Sequence, residues 1–239
     1  MNKINKLGFT LAEVLITLGI IGIVSVMIIP FITTTYQKIV YPIQLKKIYN
    51  NLLTVQAAIN DEFGNPEYWR FTSYQTDSDD RYNIEIFKRY VTQLNAVSYK
   101  NKGDYNYFKH GLSDSVVMLN RQPAVNVPEW ATGSYIYESW KCYSMQLKNG
   151  ATIAMYFANS KAGGVLWSLI GKQMYAAFLI DVNGLSGPNM VGRDIFAFGL
   201  KRGNGSIVPY MDDTSDCNEQ GAGLSCSRKI IQDGWKMNY

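Results

Sequence analysis

The sequence predicts an α+β chain, in which a long N-terminal α-helix packs its second half on a C-terminal antiparallel β-sheet. Three observations predict it. The first is an apolar run from Phe9 to Ile32, long enough to cross a hydrocarbon core at ~1.5 Å of helix rise per residue. The second is Leu45, Ile48, Leu52, Val55, Ile59 and Phe63, a stripe repeating at three and four that marks the buried face of a water-exposed helix. The third is a set of short β-rich segments from Ser134 onward, two of them joined by an Asn-Gly turn of the kind that closes hairpins.

The helix comes first in the chain and organises the rest. A polar stretch, Met1 to Gly8 with Lys3 and Lys6, stands before the apolar run, and no Ala-x-Ala-like site follows it near Pro30. That order is the reverse of an ordinary secretory leader. The run carries a single charge, Glu13, which would cost an isolated helix roughly 2.5 to 3.5 kcal/mol near mid-bilayer. Such a carboxylate asks for a partner. An ordinary single-span anchor that tolerates its glutamate is the plain alternative.

Quoted in full, Lys6-Leu7-Gly8-Phe9-Thr10-Leu11-Ala12-Glu13-Val14-Leu15-Ile16 closely resembles the N-terminus of type IV pilins and type II secretion pseudopilins. The resemblance implies that a prepilin peptidase cuts between Gly8 and Phe9 and methylates the new N-terminal residue. Glu13 then becomes the fifth residue of the mature chain, expected to pair with the N-terminal amine of a neighbouring subunit. It further implies other pilin or pseudopilin subunits as partners, together with an inner-membrane assembly platform and its cytoplasmic ATPase. The expected location is the inner membrane, single-pass, with the N-terminus cytoplasmic and the globular domain outside, and then an extracytoplasmic filament. Lysines on both sides of the run, Lys38, Lys46 and Lys47 among them, leave the positive-inside count equivocal, so orientation comes from the resemblance. Physics points the same way: among packed helices an unpaired Glu13 and an unpaired ammonium on Phe9 would each be costly, and pairing them removes both penalties.

The expected organisation is therefore a leader at 1–8, a membrane and filament-core helix at 9–32, an amphipathic continuation at 33–64 and a globular domain at 65–239. Pro30 removes one backbone hydrogen bond and crowds the preceding turn, so a kink or local melting is expected there, as in many pilins, and Pro42 adds a second bend. Gly19 and Gly22 permit close helix approach but lack the Gly-x-x-x-Gly spacing. Gly64-Asn65-Pro66 stops the helix. Fewer than four clean heptads argue against a coiled coil.

After the leader and helix, enough of the 239 residues remain for one domain with a sizeable core. Lysine and arginine number 23 against 19 acidic residues; losing Lys3 and Lys6 leaves 21 against 19, a net charge of +2. That balance implies no nucleic-acid partner by itself. Asp77 to Asp80 reads as the acidic entry to a helix through Ile84 to Val91. Tyr99 to His110 interleaves basic and aromatic residues, a mix that can stack bases and hold phosphates, although an exposed tyrosine-rich loop reads the same. His110, the only histidine, has no second histidine or nucleophile to work with.

Strands are expected at Tyr135 to Leu147, Ala151 to Ala158, Tyr175 to Val182, Asp194 to Leu200 and Ser206 to Met211. Alternation puts Ile136, Trp140 and Cys142 on one face, and Ile153, Met155 and Phe157 on one face of the next; those faces are the candidates to cover the helix stripe. Between two later strands lies Asp181-Val182-Asn183-Gly184-Leu185-Ser186-Gly187-Pro188-Asn189-Met190-Val191-Gly192-Arg193-Asp194. Its glycines and proline turn tightly, and Asp181, Asn183, Asn189 and Asp194 offer hard oxygen donors that suit calcium. It is not an EF-hand, because the glycine comes early and the terminal glutamate is absent. The loop is similar to one between late strands of pseudopilins, whose major subunit binds calcium in a comparable place, so Asp181, Asn183 and Asp194 are the candidate ligands. Asx-turns explain the same residues without metal, and no cofactor is required.

Export to an oxidising compartment makes a disulfide between Cys217 and Cys226 the leading reading, as in the C-terminal loop of many type IV pilins. Cys142 is left over as a small buried residue. Scattered cysteines and one distant histidine lack zinc spacing. No Gly-x-Ser-x-Gly, Walker loop or His-Glu-x-x-His appears, so the chain is expected to be a structural subunit and not an enzyme. Two rivals stand beside it. One is a DNA-uptake or adhesive minor pilin using Tyr99 to His110; the other is an anchored enzyme using a metal in the Asp181 to Asp194 loop.

Overall fold

The computed structural model describes residues 10–69, 80–100, 116–122, 142–157, 174–184 and 186–239. Helix α1 spans Leu11–Phe63 and is unbroken at Pro30 and Pro42, so neither proline melts a turn: each removes one N–H donor while the neighbouring turns keep theirs. Contacts divide the chain into two compact units, one ending at Val40 and the other Tyr41–Tyr239.

In the first unit every large apolar side chain from Leu11 to Ile32 is exposed, and α1 is long and apolar enough there to cross a membrane. So continuous an apolar surface is unsupportable in water.

The second unit begins with the stripe. Leu45, Ile48, Leu52, Val55 and Ile59 are buried, with Phe63 packed at the edge of their cluster. Gly64, at φ 78°, ends the helix, and Asn65 caps a 3-10 turn at Pro66–Tyr68 by accepting from the Glu67 N–H. Helix α2, Asp80–Gln93, adds Ile86, Phe87, Tyr90 and Val91 to the same core, and Arg89 pairs with Glu62 on its outer side.

Against the helices lies a six-stranded antiparallel sheet in sequential order: β1 Ser98–Lys100, β2 Cys142–Gln146, β3 Thr152–Phe157, β4 Met174–Asp181, β5 Ile195–Lys201 and β6 Ile207–Pro209. Each strand pairs with its sequence neighbour, so the sheet is a meander in strand order. Leu147 donates to Ala151 across the Asn149-Gly150 turn, with Gly150 at φ 87°.

Register corrects one expectation. Residues directly opposite in an antiparallel pair share a face, and Met155 and Ile153 stand opposite Tyr143 and Met145. The helix-facing set of β2 is therefore Tyr143, Met145 and the following Leu147, all in the helix core, and not the alternate set to which Cys142 belongs. Ile153 and Met155 face the helix as expected. Phe87 packs on Tyr143 and Tyr90 on Phe178, at 5.0 and 5.7 Å between ring centres. Tyr99 and Lys100, expected in a loop, pair with Met145 and Ser144 as edge strand β1; Asn101 to His110 lie outside the described residues, as do Ile136 and Trp140.

A second cluster, not anticipated, covers the opposite face. Ala154, Ala177, Leu179, Ile195 and Ala197 pack there with Val116, Met118, Tyr210 and Leu224. This is why β4 and β5 read as nearly continuous apolar runs: both of their faces are buried. Helix α3, Cys226–Gln232, closes the fold, with the Ser227 hydroxyl donating to the Ala197 carbonyl at 2.7 Å.

Candidate functional site

Two candidate sites occupy different units. At the N-terminus, Glu13 lies in the first turn of α1. Its Oε2 accepts from the Thr10 N–H and the Thr10 hydroxyl, both at 2.8 Å, while the Glu13 N–H donates to Thr10 Oγ1 at 3.3 Å. These reciprocal bonds form a capping box, which satisfies orphan donors at the helix start. Thr10-x-x-Glu13 is the spacing of that cap, and reading Glu13 by charge alone overlooks it. Within the single chain the carboxylate already has a partner, and Oε1 remains open to a second. Gly8 and Phe9 lie outside the described residues.

The second candidate is the loop from the end of β4 to the start of β5. Asp181 is the last residue of β4, and Asp194 immediately precedes β5; both are fully buried. Asp194 Oδ2 accepts from the Asn189 N–H at 2.8 Å and Oδ1 from the Met190 N–H at 2.6 Å. Asp181 Oδ1 accepts from the Asn183 N–H at 3.2 Å. Asn183 Nδ2 reaches the Tyr41 hydroxyl at 3.1 Å and the carbonyls of Ser186 and Gly187 at 2.5 and 3.0 Å. The structure thus gathers Asp181, Asn183 and Asp194 into one loop.

Much of the loop's bonding supports the Asx-turn reading, yet three buried oxygens are left over. Asp181 Oδ2, Asn183 Oδ1 and Asn189 Oδ1 have no hydrogen-bond partner. Burial pushes the Asp181 carboxyl up to about 8, and the Asp194 charge pushes the same way against the N–H groups of Asn183 and Gly184. Burial likewise raises Asp194 to about 6, opposed by the N–H groups of Met190, Asn189 and Asp194 itself and by a hydrogen bond from the Asn183 side chain. Two buried acids and spare hard oxygens fit a cation that prefers oxygen ligands. Among the described residues no group of three His, Cys, Asp or Glu side chains could hold a metal, so a cation here would depend on the amide oxygens as much as on the carboxylates.

The loop is braced from outside. Val117 exchanges backbone bonds with Asn189 and Val191 at 3.1 and 2.9 Å, and the next residues bond to Gly221 and Ala222. The Tyr239 hydroxyl donates to the Gly192 carbonyl at 2.6 Å. Gly184, at φ 61°, has no room for a side chain, since a Cβ would lie 2.2 Å from the Gly150 carbonyl oxygen; at Gly192, φ 82°, a Cβ would lie 2.8 Å from Cys226 Sγ. Cys226 is bonded to Cys217. Asp216 fastens the same bend, accepting from the Leu224 and Ser225 N–H groups at 3.0 and 2.7 Å. Local sequence reading could not find Val117, Tyr239 or Asp216, because each acts across a large chain separation or through a bend not yet formed.

No characterised protein and no solved structure matches the chain. Residues 3–29 match the family model of the prokaryotic N-terminal methylation motif, the stretch that holds the Gly8–Phe9 junction, Glu13 and most of the exposed apolar helix. The chain thus carries at its N-terminus the signature of type IV pilins and pseudopilins, on a long apolar helix that continues into an α+β, pilin-like fold.

Proposed function

We propose that this protein is a structural subunit of a type IV pilus or type II secretion pseudopilus, working by assembly and not by catalysis. A prepilin peptidase removes residues 1–8 and methylates Phe9. The chain waits in the inner membrane with its N-terminus cytoplasmic and its domain outside, until the assembly platform and its ATPase pass it into a filament of like subunits. The observation that carries this reading is the exposed apolar surface from Leu11 to Ile32 with one carboxylate at its start. Lipid and neighbouring helices are the two environments that suit such a surface, and Glu13 marks the end at which register matters.

Mass spectrometry of the native N-terminus tests the processing step: the expected species begins at a methylated Phe9. Glu13→Ala should leave the domain folded and membrane-inserted while sharply reducing filament incorporation, measured by shearing and immunoblot. An intact Met1 to Gly8 in the native protein, or undiminished incorporation of the variant, would count decisively against it.

A second part of the proposal is a structural calcium ion in the carboxylate loop, held by Asp181, Asn183 and Asp194. The three unpartnered buried oxygens favour it, as does the pairing of two buried acids without a countercharge. Bound calcium supplies charge neutralisation and no chemistry. A rise in melting temperature with added calcium, reversed by a chelator, is the expected result.

A further inference from the structure

We propose that the outward face of α1 between Ile43 and Asp61 docks on the same face of a second copy of this chain, the two helices parallel and shifted along their axes by two heptads. The inference rests on the assembly reading and adds to it the contact that sets the spacing of neighbouring subunits.

Ile43, Lys47, Asn50, Thr54, Ala57 and Asp61 recur at intervals of four and three, which puts them on one side of a helix. All six are exposed, on the side of α1 opposite the buried stripe from Leu45 to Ile59. Lys47 and Asp61 carry the charge of that face, and among the described residues neither has an ion pair. Their sequence neighbours are engaged elsewhere: Lys46 lies over the Trp235 ring at 5.8 Å, and Glu62 pairs with Arg89. Between the charges the side chains are small or uncharged, and the Thr54 hydroxyl already donates to the Asn50 carbonyl of its own helix at 3.2 Å.

A cation and an anion two heptads apart on one face, about 21 Å of helix rise, make that face complementary to a shifted copy of itself. In register, two parallel copies would set Lys47 on Lys47 and Asp61 on Asp61, and like charges so placed repel. Shifted, Lys47 of one copy meets Asp61 of the other, and the exposed Ile43 stands beside the small side chain of Ala57. A helix drifts only about 40° over two heptads, so the faces stay opposed. An antiparallel pair would match the same charges, but α1 of every copy carries its membrane-length run near the N-terminus, so copies in one membrane or one filament run parallel. The shifted contact is heterologous. It leaves one end of each face open to the next copy, which extends a filament in place of closing a dimer.

The test uses the full chain in cells that assemble it, with incorporation measured by shearing and immunoblot. Lys47→Glu and Asp61→Lys should each lower incorporation about two- to fivefold, the factor one exposed ion pair supports per contact, and the double reversal should restore it. Both side chains are exposed, so melting temperatures should match the parent. Lys47→Cys with Asp61→Cys on one chain should give a ladder of covalent multimers in oxidised filaments, since the two positions are too far apart to bridge within a subunit. Three results overturn the contact in distinguishable ways. If the parent enters no filament, the assembly reading falls and takes the contact with it. If the parent assembles and both single reversals assemble equally well, the contact alone is wrong. If the single reversals fail and the double reversal does not recover, the face meets a different protein and the pairing of like copies is wrong.

Discussion

Replacing Asp181 by Asn tests the carboxylate loop most directly. Asp181 ordinarily titrates near 3.8 and is raised to about 8 in the fold. A raised acid works against stability once the unfolded chain can ionise. Below pH 4 both states hold the proton and nothing is lost. Between about 4 and 8 the unfolded state releases it while the folded state keeps it, so stability falls as pH rises. At pH 7 the gap spans roughly three pH units at 1.36 kcal/mol each, or about 4 kcal/mol against the cation-free fold. Asparagine removes that term. Its carbonyl can keep the Asn183 N–H, and its new NH2 group meets a loop whose leftover buried side-chain oxygens include Asn183 Oδ1 and Asn189 Oδ1. In chelator, urea denaturation of the full chain in detergent should show the variant close to the parent at pH 4.5 and more stable by up to about 4 kcal/mol at pH 7. Calcium should reverse that order, because the parent then regains its countercharge. A parent that grows more stable between pH 5 and 8 in chelator, or a variant weaker than the parent at pH 7 without calcium, would refute the reasoning.

Other perturbations probe the frame around the loop. Replacing Cys217 and Cys226 together by serine should cost about 2.7 kcal/mol by the entropy of a ten-residue loop; the domain should stay folded by circular dichroism, since Asp216 still holds Leu224 and Ser225. Tyr90→Phe removes the hydroxyl that donates to buried Gln56 Oε1 and should cost roughly 1 to 3 kcal/mol in urea denaturation, whereas Tyr90→Phe with Gln56→Met should cost less than the sum of the single changes. Leu52→Ala empties part of the fully buried stripe and should cost about 2 to 5 kcal/mol, with no effect on N-terminal processing, because the peptidase site lies in the other unit.

Much of the fold is legible without coordinates because its signals are local. The apolar run and the stripe from Leu45 to Phe63 differ in period, so one helix could be divided into a membrane-length part and a domain-facing part. Gly64-Asn65-Pro66 ends that helix through backbone preferences alone, and Asn149-Gly150 closes a hairpin for the same reason. Helix α2 follows its acidic entry. The Asp181 to Asp194 loop stands out because hard oxygens and glycines cluster there, but whether those oxygens were satisfied depended on the Asn183 amide, whose orientation Ser186, Gly187 and Tyr41 decide.

The sequence by itself determined the membrane-length helix, the methylation motif around Gly8 and Phe9, the place of Glu13 and the Asn149-Gly150 hairpin, since each is written in composition or spacing within a short window. Only the tertiary structure decided which alternate residues of β2 meet the helix, that β4 and β5 are covered on both faces, and that residues 116–122 and Tyr239 brace the carboxylate loop. The reason is that alternation along a strand names two faces without saying which is inside; that choice belongs to the neighbour across the ladder, and here Met155 opposite Tyr143 makes it.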